Sequence, residues 1–191
     1  MLRLATAIGF GLALTSLSAC SDGSGDNSAN GAAPQTEEAK DAAGTKTIAA
    51  GIGANSQFAS LAKTAGLDQT LAGPGPYTVF VPSDEAFGKL PAETTQSWAK
   101  PEQRGVVTRA LTAHIVPGVV LAEDIGKAID NGKGKTALMT TGGETLTAAR
   151  EGGKIVLTDA NGGKATVVHA DEKYSNGVVH HLDAVLTPSK G

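Results

Sequence analysis

Four histidines are the residues of this 191-residue chain that could bind a metal ion or transfer a proton near neutral pH. They are His114, His169, His180 and His181. His180 and His181 are neighbours in a segment of strand character, and neighbouring strand residues point to opposite faces of a sheet. Neither has a helical partner four positions away, so no metal-ligand spacing is present. We therefore expect hydrogen-bonded structural histidines, no metal site and no cofactor.

Nucleophilic catalysis has no supporting motif in the sequence. There is no Gly-x-Ser-x-Gly segment, and Ser83 is explained as the N-cap of a helix opening at Asp84. Glycine is abundant, with 25 residues, but its pairs separate strand-like segments and do not follow a strand to open a helix. The sequence predicts no catalytic residue. An envelope hydrolase is the least favoured of the functions considered.

Cys20 is the only cysteine, and its position indicates a lipid anchor. It follows Leu17, Ser18 and Ala19, which end an apolar run preceded by Arg3. This order is typical of a secretory signal, and residues 17–20 resemble the lipobox of bacterial lipoproteins. We predict a signal peptide at residues 1–19, lipid attachment at Cys20, and a location on the extracytoplasmic side of a bacterial envelope, in the periplasm or at the cell surface. The alternative is an ordinary signal peptide with an unpaired cysteine.

Composition divides the rest of the chain into two parts. Residues 20–44 are rich in Ser, Asp, Gly, Asn, Ala and Glu without apolar periodicity, which predicts a disordered tether. Residues 45–191 have enough apolar residues for one domain. The net charge of −3 and the absence of a basic cluster argue against a nucleic-acid partner.

The first half of the predicted domain is mainly helical around one early strand. Residues 77–81 are aromatic or β-branched, which favours a buried strand that Pro82 ends. An apolar helical face precedes it, formed by Phe58, Leu61, Ala62 and Ala65. Further helices are expected at residues 84–89 and 94–99, in a segment presenting Val107, Ala110, Leu111 and His114 on one face, and at 122–131.

The second half has the rhythm of antiparallel hairpins. Glycine pairs separate strand-like segments at residues 135–140, 145–149, 154–159 and 164–170. Asn176 and Gly177 form another turn before a last strand at residues 178–186, closed by Pro188. The order of helices and then strands predicts an α+β domain whose sheet closes back on the first strand.

Three segments of the sequence resemble the fasciclin-like domain family, which is also called FAS1. Residues 78–87, TVFVPSDEAF, resemble its first signature box. Residues 111–118, LTAHIVPG, resemble its central tyrosine–histidine segment, and residues 176–188, NGVVHHLDAVLTP, its second box. The resemblance implies a wedge-shaped β-sandwich with helices packed along one edge. It also implies an extracytoplasmic adhesion or binding module without catalytic residues.

Two departures from the family pattern concern recognition. Ala113 stands where family members usually place the tyrosine before His114, and Asp171 is followed by Glu172 instead of the isoleucine used by some animal members. The resemblance therefore does not imply integrin binding. It leaves His114, Ile115, Val116 and Asp171 as candidate binding residues.

The sequence favours a non-enzymatic, lipid-anchored adhesion or binding module. Its expected partner is a protein or polysaccharide of the envelope or the extracellular space, with the membrane contacted through the lipid. The alternative is a carrier of a small apolar ligand or cofactor in a cleft between helices and sheet. A pocket with convergent polar groups would favour the carrier, and a flat exposed apolar patch the adhesion module.

Overall fold

A computed structural model describes residues 45–53 and 56–188. Its helices are α1 (Ile48–Gly51), α2 (Gln57–Ala65), α3 (Asp68–Ala72), α4 (Asp84–Gly88), α5 (Ala92–Trp98), a 3₁₀ turn (Pro101–Gln103), α6 (Arg104–Thr112) and α7 (Ala122–Asn131). Its strands are β1 (Tyr77–Pro82), β2 (Ile115–Pro117), β3 (Lys135–Met139), β4 (Thr145–Glu151), β5 (Lys154–Thr158), β6 (Lys164–Tyr174) and β7 (Gly177–Leu182). The predicted signal peptide, Cys20 and the tether lie outside the described residues.

Local signals position the early helices as predicted. The Ser56 hydroxyl accepts a hydrogen bond from the Ala59 amide, and Gly66 ends α2 in the left-handed conformation at φ 75°. After β1, the Ser83 hydroxyl accepts from the Ala86 amide and opens α4. Strand, cap and helix thus follow one another without a connecting loop.

The strands form one seven-stranded sheet in the order β2-β1-β7-β6-β5-β4-β3. β1 runs parallel to β7, whereas the other neighbouring pairs are antiparallel. Just beyond β3, the Thr141 amide donates to the Ile115 carbonyl of β2 at 2.7 Å. The two ends of the sheet therefore meet, and the expected α+β sandwich closing on the first strand is confirmed.

Two apolar cores lie on opposite faces of β1. Val79 and Val81 face the helices and join Phe58, Phe87 and Leu111 in the helical core. Phe80 faces the other way, into a sandwich core that contains Ile125, Leu146, Leu157 and Leu182. Alternation along one strand thus couples both cores, and full burial of each large side chain stabilises the fold by about 1.5–3 kcal/mol.

Two strand ends differ by four residues from the sequence prediction. The last strand ends at Leu182 and not at residue 186, because residues 183–188 are held by side-chain hydrogen bonds instead of a strand ladder. β6 continues beyond residue 170 to Tyr174, since two register shifts allow its pairing with β7 to resume. Among residues 45–53 and 56–188, no helix is long and apolar enough to cross a bilayer.

Candidate functional site

His114 lies in the interior, immediately after α6, and is 1% exposed. Its Nδ1 lies 2.8 Å from the Ala110 carbonyl oxygen, and its Nε2 accepts a hydrogen bond from the Leu186 amide at 3.1 Å. These partners require a neutral ring with the proton on Nδ1. Burial lowers the pKa of His114 to about 4, although the bond to Ala110 and the charge of Asp159 oppose the shift. The ring therefore ties the end of α6 to the segment after β7.

Ile115 and Val116 continue from His114 into β2, and both are buried. Ala113, at the position of the missing tyrosine, is also interior, with 1% of its surface exposed. The whole 113–116 segment is thus part of the packing between β2, the helices and the sandwich core. Recognition of a partner by His114, Ile115 or Val116 stays a prediction.

Asp171 is a partly buried residue of β6 with a positive φ of 61°. Its Oδ1 accepts a hydrogen bond from the Ala122 amide at 2.8 Å, which satisfies a donor at the start of α7. Its own amide donates to Nδ1 of His180 at 3.2 Å. The structure therefore places Asp171 at the start of α7, 49 positions away in sequence. It does not place Asp171 beside Ile115 on β2. Its recognition of a partner also stays a prediction.

His180 is the second buried imidazole, and it lies at the centre of the sheet. Its Nε2 is 2.9 Å from the Val120 carbonyl oxygen, and its ring stacks on Phe80 with centroids 5.3 Å apart. Because Nδ1 accepts from Asp171, the neutral ring carries its proton on Nε2. Burial lowers the pKa of His180, against the opposing effects of Val120 and Asp171. The expectation that His180 and His181 occupy opposite faces is confirmed by their different surroundings.

Thr78 completes the same polar network from β1. Its hydroxyl donates to the Gly118 carbonyl at 2.8 Å and accepts from the Val120 amide at 2.9 Å. Thr78, Asp171 and His180 together fasten the segment between β2 and α7 to three strands. These buried polar groups bind backbone, which is a structural use of residues that could otherwise do acid–base chemistry.

Asp159 forms a second polar node at the turn between β5 and β6. Its Oδ1 accepts from the Asn161 and Gly163 amides at 2.9 and 2.7 Å. Its Oδ2 accepts from the amide and hydroxyl of Thr187 at 2.8 and 3.1 Å. Asp159 and His114 thus hold the segment after β7 from two sides.

A cavity of about 250 Å³ lies among α2, α4 and α5. Apolar walls of Leu61, Phe87 and Trp98 meet polar groups of Gln57, Ser60 and Thr95. The alternative function considered from the sequence required a cleft between helices and sheet, whereas this cavity lies between helices. The sequence placed Trp98 only within the expected helix at residues 94–99, because its role as a wall depends on the packing of three separate helices.

Comparison of the chain with known proteins identifies similar sequences. The family model described as Fasciclin domain matches residues 53–188. The protein sll1483 of Synechocystis is 37% identical over 141 residues, which cover 74% of this chain and 71% of that protein. The pig transforming growth factor-beta-induced protein ig-h3 is 33% identical over 64% of this chain, and mouse stabilin-2 is 32% identical over 63%. The matches cover 16% of ig-h3 and 4% of stabilin-2.

A solved structure shares the fold. It is the FAS1 domain pair from the insect cell adhesion molecule fasciclin I, with a TM-score of 0.64 and 18% identity. The likeness covers 74% of this chain and 50% of that one. At this identity the likeness shows the fold alone.

Proposed function

Because the chain belongs to the fasciclin domain family, we propose that it is a non-enzymatic adhesion or binding module anchored by lipid at a bacterial cell envelope. The observation that carries the proposal is the family match over residues 53–188, which includes nearly the whole described domain. The solved relative of this fold comes from a cell adhesion molecule, and that description belongs to the insect protein. The proposed partner is a protein or polysaccharide of the envelope or the extracellular space.

The chemistry of the interior supports a binding role over catalysis. His114, His180 and Asp159 would be the natural candidates for proton transfer, but their polar atoms bind backbone amides and carbonyls. His114 also has a pKa of about 4, which makes it a poor general base near neutral pH. These residues hold segments in place, and the outer surface is left for contact with a partner.

Saturable binding tests the adhesion proposal. The full purified chain is titrated onto envelope preparations from cells that lack its gene, with heat-unfolded chain as the control. We expect saturable binding by the folded chain alone. Equal, non-saturable association of both forms would contradict the proposal. Protease and glycosidase treatment of the envelopes then distinguishes a protein partner from a polysaccharide.

Lipid anchoring is tested separately at Cys20. We propose that acyl chains on this residue hold the domain at the extracytoplasmic face, since stable anchoring requires more than one chain. In leader-free protein, Cys20→Ala should move the folded domain from the membrane fraction to the soluble fraction. Ser24→Ala is the matched control and should remain with membranes. If leader-free protein carrying Cys20→Ala still sediments with membranes in detergent-free buffer, the anchor proposal fails.

The cavity among α2, α4 and α5 supports a second candidate function, which is carriage of a small ligand. Its volume of about 250 Å³ and its mixture of apolar walls and polar groups suit a small amphipathic molecule. Ala99 lies at its exposed margin, so Ala99→Phe should fill the opening without disturbing the core. Native mass spectrometry of protein purified from its own envelope should then show an adduct in the parent and none in the variant. Absence of an adduct in both would contradict carriage.

A further inference from the structure

A pair of histidines on the helix-side face of β6 and β7 has a geometry that the function above does not use. His169 on β6 lies directly opposite His181 on β7. Their ring centroids are 5.8 Å apart, with the ring planes inclined by 45°. We propose that His169 and His181 bind one divalent late transition-metal ion, of the class of Cu²⁺ or Zn²⁺, with water completing the coordination.

The spacing of the two rings suits one shared ion. Metal–nitrogen bonds to imidazole are about 2.0–2.1 Å long, so a bound ion lies about 3.2 Å from each ring centre. Two rings on one ion then have centres about 4.5–6.5 Å apart for nitrogen–metal–nitrogen angles between about 90° and 180°. The observed 5.8 Å lies within this range. Because His169 is exposed, its ring can turn a nitrogen toward His181.

Two irregularities of β6 create the pair. Val167 lies opposite Leu182, and regular pairing from there would place His169 opposite His180, on the buried face. A register shift after Val167 instead turns His169 to the other face, opposite His181. A second shift puts Glu172, and not Asp171, opposite Val179 on this same face. Bulges of this kind re-aim side chains and are concentrated near functional sites.

Glu172 orients one of the two imidazoles. Its Oε2 lies 2.7 Å from Nε2 of His181, and its Oε1 accepts from the Tyr174 hydroxyl at 2.5 Å. A carboxylate oxygen can only accept in this bond, so the ring proton of His181 lies on Nε2. Nδ1 of His181 is then left with its lone pair. Metal-binding histidines in proteins characteristically give their other ring proton to such a carboxylate.

An ion has access to this face, because His169 is exposed and the side chain of His181 is 31% exposed. Only two protein ligands contribute, which agrees with the absence of any metal-binding group of three or more His, Cys, Asp or Glu side chains in the described part of the chain. Such a site favours Cu²⁺ among divalent ions, since affinity for nitrogen ligands peaks at copper. Glu172 is a positioning residue and contributes no bond to the ion.

Copper binding by the full chain tests the proposal. Cu²⁺ is titrated by calorimetry in a Cys20→Ala background, so that the thiol does not compete, and electron paramagnetic resonance reports nitrogen ligands. His169→Gln and His181→Gln should each raise the Kd for one Cu²⁺ at least tenfold, and the double variant should lose that ion. Glu172→Gln should raise the Kd about tenfold. Lys173→Gln, on the next position of β6, is the matched control and should bind like the parent.

The result that overturns the proposal is an unchanged Kd and stoichiometry in the double variant. An unchanged Kd in Glu172→Gln, with the ion lost from the double variant, overturns the positioning role of Glu172. Apo-protein melting curves accompany each titration. Because His169 is exposed, His169→Gln is the variant least able to change folding, and its Kd decides the outcome if another variant melts early.

Discussion

His180 and His114 are both buried neutral imidazoles that bind backbone through both ring nitrogens, but they hold regions with different freedom to relax. His180 lies between β1, β6 and the segment before α7, and the two strands fix its surroundings on two sides. His114 holds the irregular segment after β7, close to the C-terminal end of the described residues. The comparison teaches that the cost of losing a buried hydrogen bond depends on whether the partner backbone can move to water.

The largest effect is expected for His180→Ala. The variant loses the Val120 bond, leaves the Asp171 amide without its acceptor and opens a cavity beside Phe80. We expect a loss of about 3–4 kcal/mol in the free energy of unfolding, measured by denaturant titration. The exposed His169→Ala is the control and should stay within about 0.5 kcal/mol of the parent. Equal stability losses in His180→Ala and His114→Ala would remove the distinction between a central and a terminal anchor.

A smaller loss is expected for His114→Ala, about 1–3 kcal/mol. The Leu186 amide loses its acceptor, but this segment is outside the strand ladder, so its backbone can adjust while Asp159 still holds Thr187. Binding to envelopes, measured where both forms are folded, should be unchanged. If His114→Ala kept the parent's denaturation curve but lost binding, His114 would have a recognition role instead of an anchoring one.

Acidification should weaken the same anchors. The folded pKa of His114 is about 4, below the ordinary value of 6.5, so the unfolded chain binds more protons between these pH values. Stability from His114 is therefore complete above pH 6.5 and decreases as pH falls toward 4. Between pH 7 and pH 5 we expect His114 to account for a loss of about 2 kcal/mol.

The His114→Ala variant is the control for this pH effect. Its unfolding free energy should fall less steeply between pH 7 and pH 5 than that of the parent. His180 has a lowered pKa as well, so a remaining slope of the same sign is expected. Parallel curves for the parent and His114→Ala would show that the ring of His114 is not held neutral by the fold.

The smallest effects are expected for Asp171, whose amide donates a hydrogen bond to His180. Asp171→Ala removes the acceptor for the Ala122 amide and puts alanine at a φ of 61°, for an expected loss of about 1–2 kcal/mol. Asp171→Asn keeps an oxygen acceptor and tolerates this backbone conformation, so it should change stability by less than about 0.5 kcal/mol. Melting curves measure both variants. If the two variants lose the same stability, the cap at Ala122 is not the source of the effect.

Much of the fold could be predicted because its signals are local. Ser83 after Pro82 predicts the start of α4, Gly66 predicts the end of α2, and the glycine pairs predict the hairpin turns. The end of β7 could not be predicted, since Val185 and Leu186 have strand character and only contacts with His114 and Asp159 take this segment out of the sheet. The pattern of apolar residues alone does not predict contacts between residues so far apart in sequence.

The same limit applies to the sites. His114 was expected in the core with a hydrogen-bonded ring, and its 1% exposure and two partners confirm this. The pairing of His169 with His181 was not found, because it depends on a register shift that moves His169 to the opposite face. Asp171 was considered only for recognition. Its role at α7 depends on a contact 49 positions away.

The parallel pairing of β1 with β7 also determines when the protein can fold. Tyr77 pairs with Gly177, 100 positions later, so β1 stays without its partner β7 until almost the entire domain has been synthesised. Contacts this distant in sequence form late, because both strands must have left the ribosome before they can pair. A chain that leaves the ribosome therefore stays unfolded during most of its synthesis. An unfolded chain can pass through a membrane channel before the domain closes, which suits the export proposed for this chain.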